Sequence, residues 1–221
     1  MLPAPPVLLI TDRTQARAPL AEVAASAFAG GLRWLSVREK DLSEAEQMAL
    51  VAQMKAQATR FQARVLLHGT PALALAAEAD GVHLAAGTDA GSARALLGAK
   101  ALIGQSVHTL AEAAAVDPAL VDYVVAGPAF ETASKPGYGP ALGEAGLAAL
   151  VGACRVPLLA LGGIDRATIA PCRRAGVAGV AVMGGIMRAP DPRAEAEALV
   201  AAWGLVGDRG PAARRGKAPR H

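Results

Sequence analysis

Cysteines, aromatic residues and long apolar runs are all scarce in this chain. The only two cysteines, Cys154 and Cys172, lack the spacing of a metal-ligand set, and two thiols make no disulfide framework for a chain of 221 residues. They read as small residues on the helical side of neighbouring units. Phe, Trp and Tyr together make up 3% of the sequence and no basic stripe crosses its body, which argues against a nucleic-acid protein. No apolar stretch approaches the roughly 18 uncharged residues of a membrane span, and MLPAPPVLLITDR lacks the basic segment that precedes a signal peptide's apolar core. A cytoplasmic location is the expectation.

Strong charge is missing as well. Residues 207–221 hold five Lys/Arg and one Asp, so this tail carries +4 of the formal +3 and the preceding 206 residues carry −1. Rich in Gly, Pro and Arg and without apolar periodicity, the tail is expected to be disordered, a solubilising extension rather than a polyanion-binding arm.

What the chain does have is alternation. Strand-like runs fall at 7–13, 34–40, 64–69, 81–87, 101–109, 122–130, 156–164 and 179–186, eight in all, and Ala/Leu/Glu-rich segments with apolar spacing of three and four lie between them. Near-continuous apolar strands imply burial on both faces and hence a parallel sheet. The prediction is a single (β/α)₈ TIM barrel over residues 1–206. A doubly wound sheet competes, but it would place a phosphate loop after the first strand, where TDRTQAR has no G-x-G-x-x-G.

Two glycine pairs sharpen this reading. Gly162-Gly163 in LLALGGID and Gly184-Gly185 in VAVMGGIM end the seventh and eighth runs, where a barrel brings backbone N–H groups and a helix N-terminus to a phosphate. Only the rim at the strand C-termini opens to ligand, so the polar residues there are the candidates: Thr11, Asp12, Arg13, Arg38, Glu39, Lys40, His68, His83, Thr88, Asp89, Ser106, His108, Thr132, Ser134 and Lys135. Arg38 and Lys40 are two apart and therefore share a side of their strand. A cation pair aimed into the rim is costly unless an anion meets it, the competing reading being salt bridges to neighbouring carboxylates.

The order TDR, VREK, ADGVHL, IGQSVHT, DYVVAGPAFETASKPG, PLLALGGI, GVAVMGGI resembles the thiamine phosphate synthase and TenI superfamily over about residues 7–190. The resemblance implies that Gly162, Gly163, Gly184 and Gly185 bind the phosphate of thiazole phosphate. It implies that Arg38 and Lys40 face the second substrate's anion, and that Thr132, Ser134 and Lys135 stand beside it. Synthases join thiazole phosphate to a pyrimidine diphosphate with Mg²⁺, and they keep Asn-Asp at the end of strand 3, an Asp soon after G-V-H-L, and Gln two positions before the Arg of R-E-K. Here those places hold His68-Gly69, Asp89 after a one-residue shift, and Ser36.

These departures favour a TenI-type thiazole tautomerase, an isomerase that needs neither cofactor nor metal and moves a proton to aromatise a carboxythiazole phosphate. His108 is then the acid–base group, with Ser106 beside it and His68 and His83 as secondary candidates, His83 leaning to a structural role. The alternatives are thiamine phosphate synthase, for which Mg²⁺ and a metal-binding Asp89 would be expected, and a non-catalytic thiazole-phosphate-binding regulator. The expected partner is a small phosphorylated thiazole, with no specific nucleic acid and no membrane. Self-association is left open.

Overall fold

A computed structural model describes residues 1–132 and 140–205. Ser134, Lys135 and the tail from 207 to 221 lie outside the described residues. Eight parallel strands close into one barrel: β1 Val7–Ile10, β2 Trp34–Val37, β3 Arg64–His68, β4 Gly81–Leu84, β5 Leu102–Val107, β6 Tyr123–Ala126, β7 Leu158–Leu161 and β8 Gly179–Val182. Each strand pairs with the next, and Val7 sits opposite Val180 where β8 returns to β1. The helical layer comprises α1 Leu20–Ala29, α2 Glu44–Thr59, α3 Pro71–Ala76, α4 Ala90–Leu97, α5 Leu110–Ala115, α6 Gly143–Ala153, α7 Ile169–Arg174, α8 Gly184–Met187 and α9 Pro192–Leu205.

Strand parity sorts the core into two apolar bodies. Odd residues of β1 and their counterparts, such as Leu9, Leu35, Leu67, Val82, Val124 and Ala160, pack under the helices. Their neighbours Leu8, Ile10, Trp34, Leu66, Tyr123, Val125, Leu159 and Ala181 fill the barrel itself. The Tyr123 ring lies over Gly104, where a Cβ would come within 2.1 Å of its Cζ, and it meets Trp34 edge-on at 5.2 Å between centroids. A glycine inside β5 is therefore the space that Tyr123 occupies.

Helix starts are fixed by side chains. Ser43 and Glu46 form a capping box on α2, Thr109 and Glu112 another on α5, and Thr70 caps α3 with Pro71 at its first turn. At the N-terminal face, Asp80 accepts from the Val65 N–H and Asp122 from the Ile103 N–H, each at 2.7 Å, so the starts of β3 and β5 are satisfied by the residue that leads into the next strand. Cys154 and Cys172 are both free thiols, the latter buried in α7. No described helix is long and apolar enough to cross a membrane.

The strands are shorter than their apolar runs. Every one except β5 stops by residue four or five, and residues 11–13, 38–40, 85–87, 127–130 and 162–164 are loop rather than strand. The predicted runs reach past the ladder into the rim, where residues such as Thr11, Asp12, Arg13, Arg38, Glu39 and Lys40 are polar and strand pairing has already ceased. The second glycine pair also differs from a simple turn, since Gly184 and Gly185 are themselves the first residues of α8.

Candidate functional site

At the C-terminal mouth of the barrel a cavity of about 510 Å³ is lined from nearly every strand end. Its walls include Arg38 and Lys40 from the β2 end, His68 and His83 from β3 and β4, Ser106 and His108 from β5, Glu131 and Thr132 after β6, and Gly162, Gly163, Gly184 and Gly185 after β7 and β8. Of the rim candidates among the described residues, Arg38, Lys40, His68, His83, Ser106, His108 and Thr132 converge here, whereas Thr11, Asp12, Arg13, Glu39, Thr88 and Asp89 do not line the cavity.

The glycine side is shaped by close backbone approach. Gly163 has φ +63°, and a Cβ there would come within 2.5 Å of the Glu131 carbonyl oxygen and 2.8 Å of the Phe130 Cβ. Only glycine fits where the β7 loop is pressed against the β6 loop. Gly162 has φ +99° and abuts the Pro128 Cα at 3.1 Å in the same sense. In α8 the first i→i−4 bond is donated by Met187 to the Met183 carbonyl, so the amides of Gly184, Gly185 and Ile186 precede any intrahelical acceptor. Glycine backbone that lines a cavity at a helix start, with no Cβ over its amides, suits a phosphate.

The opposite character belongs to β2. Arg38 is half-buried and Lys40 exposed, both line the cavity, and no ion pair among the described residues includes either one. The competing salt-bridge reading of this pair therefore fails for the described residues. Asp12 illustrates why: its carboxyl lies below its usual value, since hydrogen bonds from Thr14 and Gln15 and the field of Arg38 outweigh the opposing effect of burial. Its oxygens are already taken by Thr14 and Gln15.

The floor is a histidine cluster. His83 is 2% exposed, with Nε2 3.0 Å from the Ser106 hydroxyl and Nδ1 3.3 Å from the Tyr123 hydroxyl, and its ring lies tilted by 32° against that of His68, 4.9 Å between centroids. Burial, then the charges of Arg38 and Lys40, push its pKa down to about 4, so it is neutral at pH 7. The expectation of a structural role fits these contacts. His108 is exposed at the cavity edge, its backbone N–H donating to Glu112 at 2.6 Å, so the α5 capping box also fixes where this residue leaves β5. Ser36, where synthases carry Gln, is 1% exposed below the floor.

Asp89 is the N-cap of α4, its carboxylate accepting from the Gly91 N–H at 2.9 Å and the Ser92 N–H at 3.3 Å, and it does not line the cavity. Among the described residues no three His, Cys, Asp or Glu side chains group as a metal would require. Magnesium at a diphosphate is usually held by one or two carboxylates together with phosphate oxygens, which is a smaller protein donor set than such a cluster.

Several residues of the site escaped sequence reasoning, among them the lining residues Arg188, Glu131 and Asp165 and the buried Tyr123 beneath the floor. Arg188 follows Gly184 by four positions, which puts it over the same face of α8, and that i, i+4 spacing in GGIMR was the available signal. Tyr123 underlies His83, flagged only by the glycine it covers.

Comparison with known proteins agrees with this geometry. The family model described as "Thiamine monophosphate synthase" matches residues 7–186. A putative thiamine-phosphate synthase of Geobacter sulfurreducens is 44% identical over 195 residues, 87% of this chain and 92% of that protein. A thiamine-phosphate synthase of Roseiflexus sp. is 35% identical, covering 87% and 83%. The solved thiamine phosphate pyrophosphorylase from Pyrococcus furiosus superposes with a TM-score of 0.79 at 28% identity, over 90% of this chain and 96% of that one. These relatives are named as synthases, so they favour the synthase alternative over the tautomerase expectation. The chain belongs to the thiamine monophosphate synthase and TenI family.

Proposed function

We propose that this chain is a thiamine-biosynthesis enzyme and that its reaction is the synthase's, joining thiazole phosphate to a pyrimidine diphosphate with loss of pyrophosphate. The observation that carries this reading is the pairing, in one cavity, of a backbone-amide pole at Gly162, Gly163, Gly184 and Gly185 with a side-chain cation pole at Arg38 and Lys40. Two anion poles suit two anionic substrates, and the similarity to proteins named thiamine-phosphate synthase supports that assignment.

In this reading the glycine amides hold the thiazole phosphate, and Thr132, which lines the same cavity, stands beside the second substrate's anion. Arg38 and Lys40 meet the diphosphate and stabilise the negative charge that grows on it as it leaves. Both cations lack ion-pair partners among the described residues, so no resident carboxylate has to be displaced first. Ser106, hydrogen-bonded to neutral His83, presents its hydroxyl to the ring region between the poles. Ser134 and Lys135, implied by the family resemblance, belong to the same proposal.

The tautomerase remains a second reading because the synthase Asn-Asp pair is replaced by His68-Gly69 and Asp89 is engaged as a helix cap. The experiment is a parallel assay of purified protein. Thiamine phosphate and pyrophosphate forming together from the two synthase substrates supports the proposal. Turnover of the carboxythiazole phosphate tautomer without condensation reverses it, and binding without either turnover selects the regulator.

A further inference from the structure

The R-E-K segment puts a carboxylate between two cavity cations, and another, Asp41, directly follows. Four charges so close would neutralise one another unless something separated them. In the loop after β2, Arg38 and Lys40 line the cavity while Glu39 does not and is only 2% exposed. There both its oxygens accept from the Arg13 backbone N–H at 3.1 Å, and one lies 3.4 Å from the Arg13 guanidinium. The same guanidinium then takes Asp41 as a two-pronged pair, 2.7 Å on each arm. The Arg38 backbone is tied independently to the Thr11 hydroxyl at 2.9 Å. Arg13 belongs to the loop after β1, so one residue from a neighbouring strand occupies both carboxylates beside the cation pair.

We infer that Arg13 is a positioning residue that sequesters Asp41, with Glu39, and so keeps both acids of this segment from pairing with Arg38 and Lys40, which stay available to a substrate's diphosphate. Asp41 is the acid released if the guanidinium is lost, because Glu39 keeps its bond to the main-chain N–H. Freed, Asp41 is one residue from Lys40 and competes with the incoming anion. This deepens the proposed function and rests on its assignment of the cation pole.

The test is calorimetric titration of inorganic diphosphate into the full chain and its variants, with melting temperature measured on each. Arg13→Met should weaken binding about fivefold at low salt, and the loss should shrink at high salt, as an electrostatic competition does. Arg13→Met/Asp41→Asn should recover affinity to within about twofold of the parent, since no freed acid remains to compete. Parent-like affinity in Arg13→Met overturns the inference and leaves the cation pole standing. A loss that Asp41→Asn does not restore also overturns it, because the role would then be structural. If the parent binds no diphosphate, or Arg38→Ala binds it as the parent does, the assignment of the cation pole falls and the inference with it.

Discussion

His83 Nε2 and the Ser106 hydroxyl, 3.0 Å apart across the β4–β5 seam, link the buried floor of the cavity to its wall. The Tyr123 hydroxyl holds the other ring nitrogen, so the imidazole is gripped from both sides. A ring so placed beside Arg38 and Lys40 is neutral, able to accept or donate one hydrogen bond without adding charge to the cation pole.

That neutrality has a pH signature. The unfolded imidazole protonates near 6.5 and the folded one only near 4, so between these values the unfolded chain binds more protons and stability falls as pH falls. Above 6.5 the contribution is constant. The loss sums to at most about 3 kcal/mol at the acid end of the window. Denaturant unfolding of parent and His83→Gln from pH 7 to 4 should give a shallower decline for the variant. Parallel curves would contradict the assignment.

His108 separates the two reactions. Its exposed ring at the cavity edge suits proton transfer, so a tautomerase would lose a factor of about 10²–10⁴ in kcat on His108→Gln. Condensation with departing pyrophosphate asks no proton transfer of it, and the synthase rate is expected to stay within about tenfold. Steady-state rates of both reactions in parent and variant decide the matter.

Asp89→Ala should cost about 1 kcal/mol of stability through loss of the α4 cap, and Asp89→Ser should restore most of it. Neither change should alter how the condensation rate depends on Mg²⁺. A shifted Mg²⁺ requirement in the stable Asp89→Ser variant would return Asp89 to the metal.

The barrel, its closure by eight strands and the cavity-facing identity of Arg38, Lys40, Ser106, His108 and the glycines were legible because alternation and strand-end position are local properties. Strand ends were not, since where the ladder stops depends on pairing with the neighbouring strands, which a single run of residues does not report. The cap at Asp89 depends on a hydroxyl and two amides just downstream, an N-cap signal outweighed by the family comparison. Arg13 could be listed as a rim residue, but its hold on Glu39 and Asp41 joins loops 26 and 28 residues apart. Tyr123 over Gly104 is likewise a cross-strand fit that neither residue announces alone.

The two-pole cavity can be tested by crossing two variants with two ligands. Gly185→Val is the suitable glycine-side change, since a Cβ there meets only the Ile164 carbonyl oxygen at 3.8 Å, whereas any side chain at Gly163 would strain the backbone. Arg38→Met removes one cation. Dissociation constants for thiazole phosphate and for the pyrimidine diphosphate, each measured alone, should split: Gly185→Val weakens the first by about tenfold or more and spares the second, and Arg38→Met does the reverse. Equal losses of both ligands in either folded variant, or no loss in both, would contradict separate poles for the two anions.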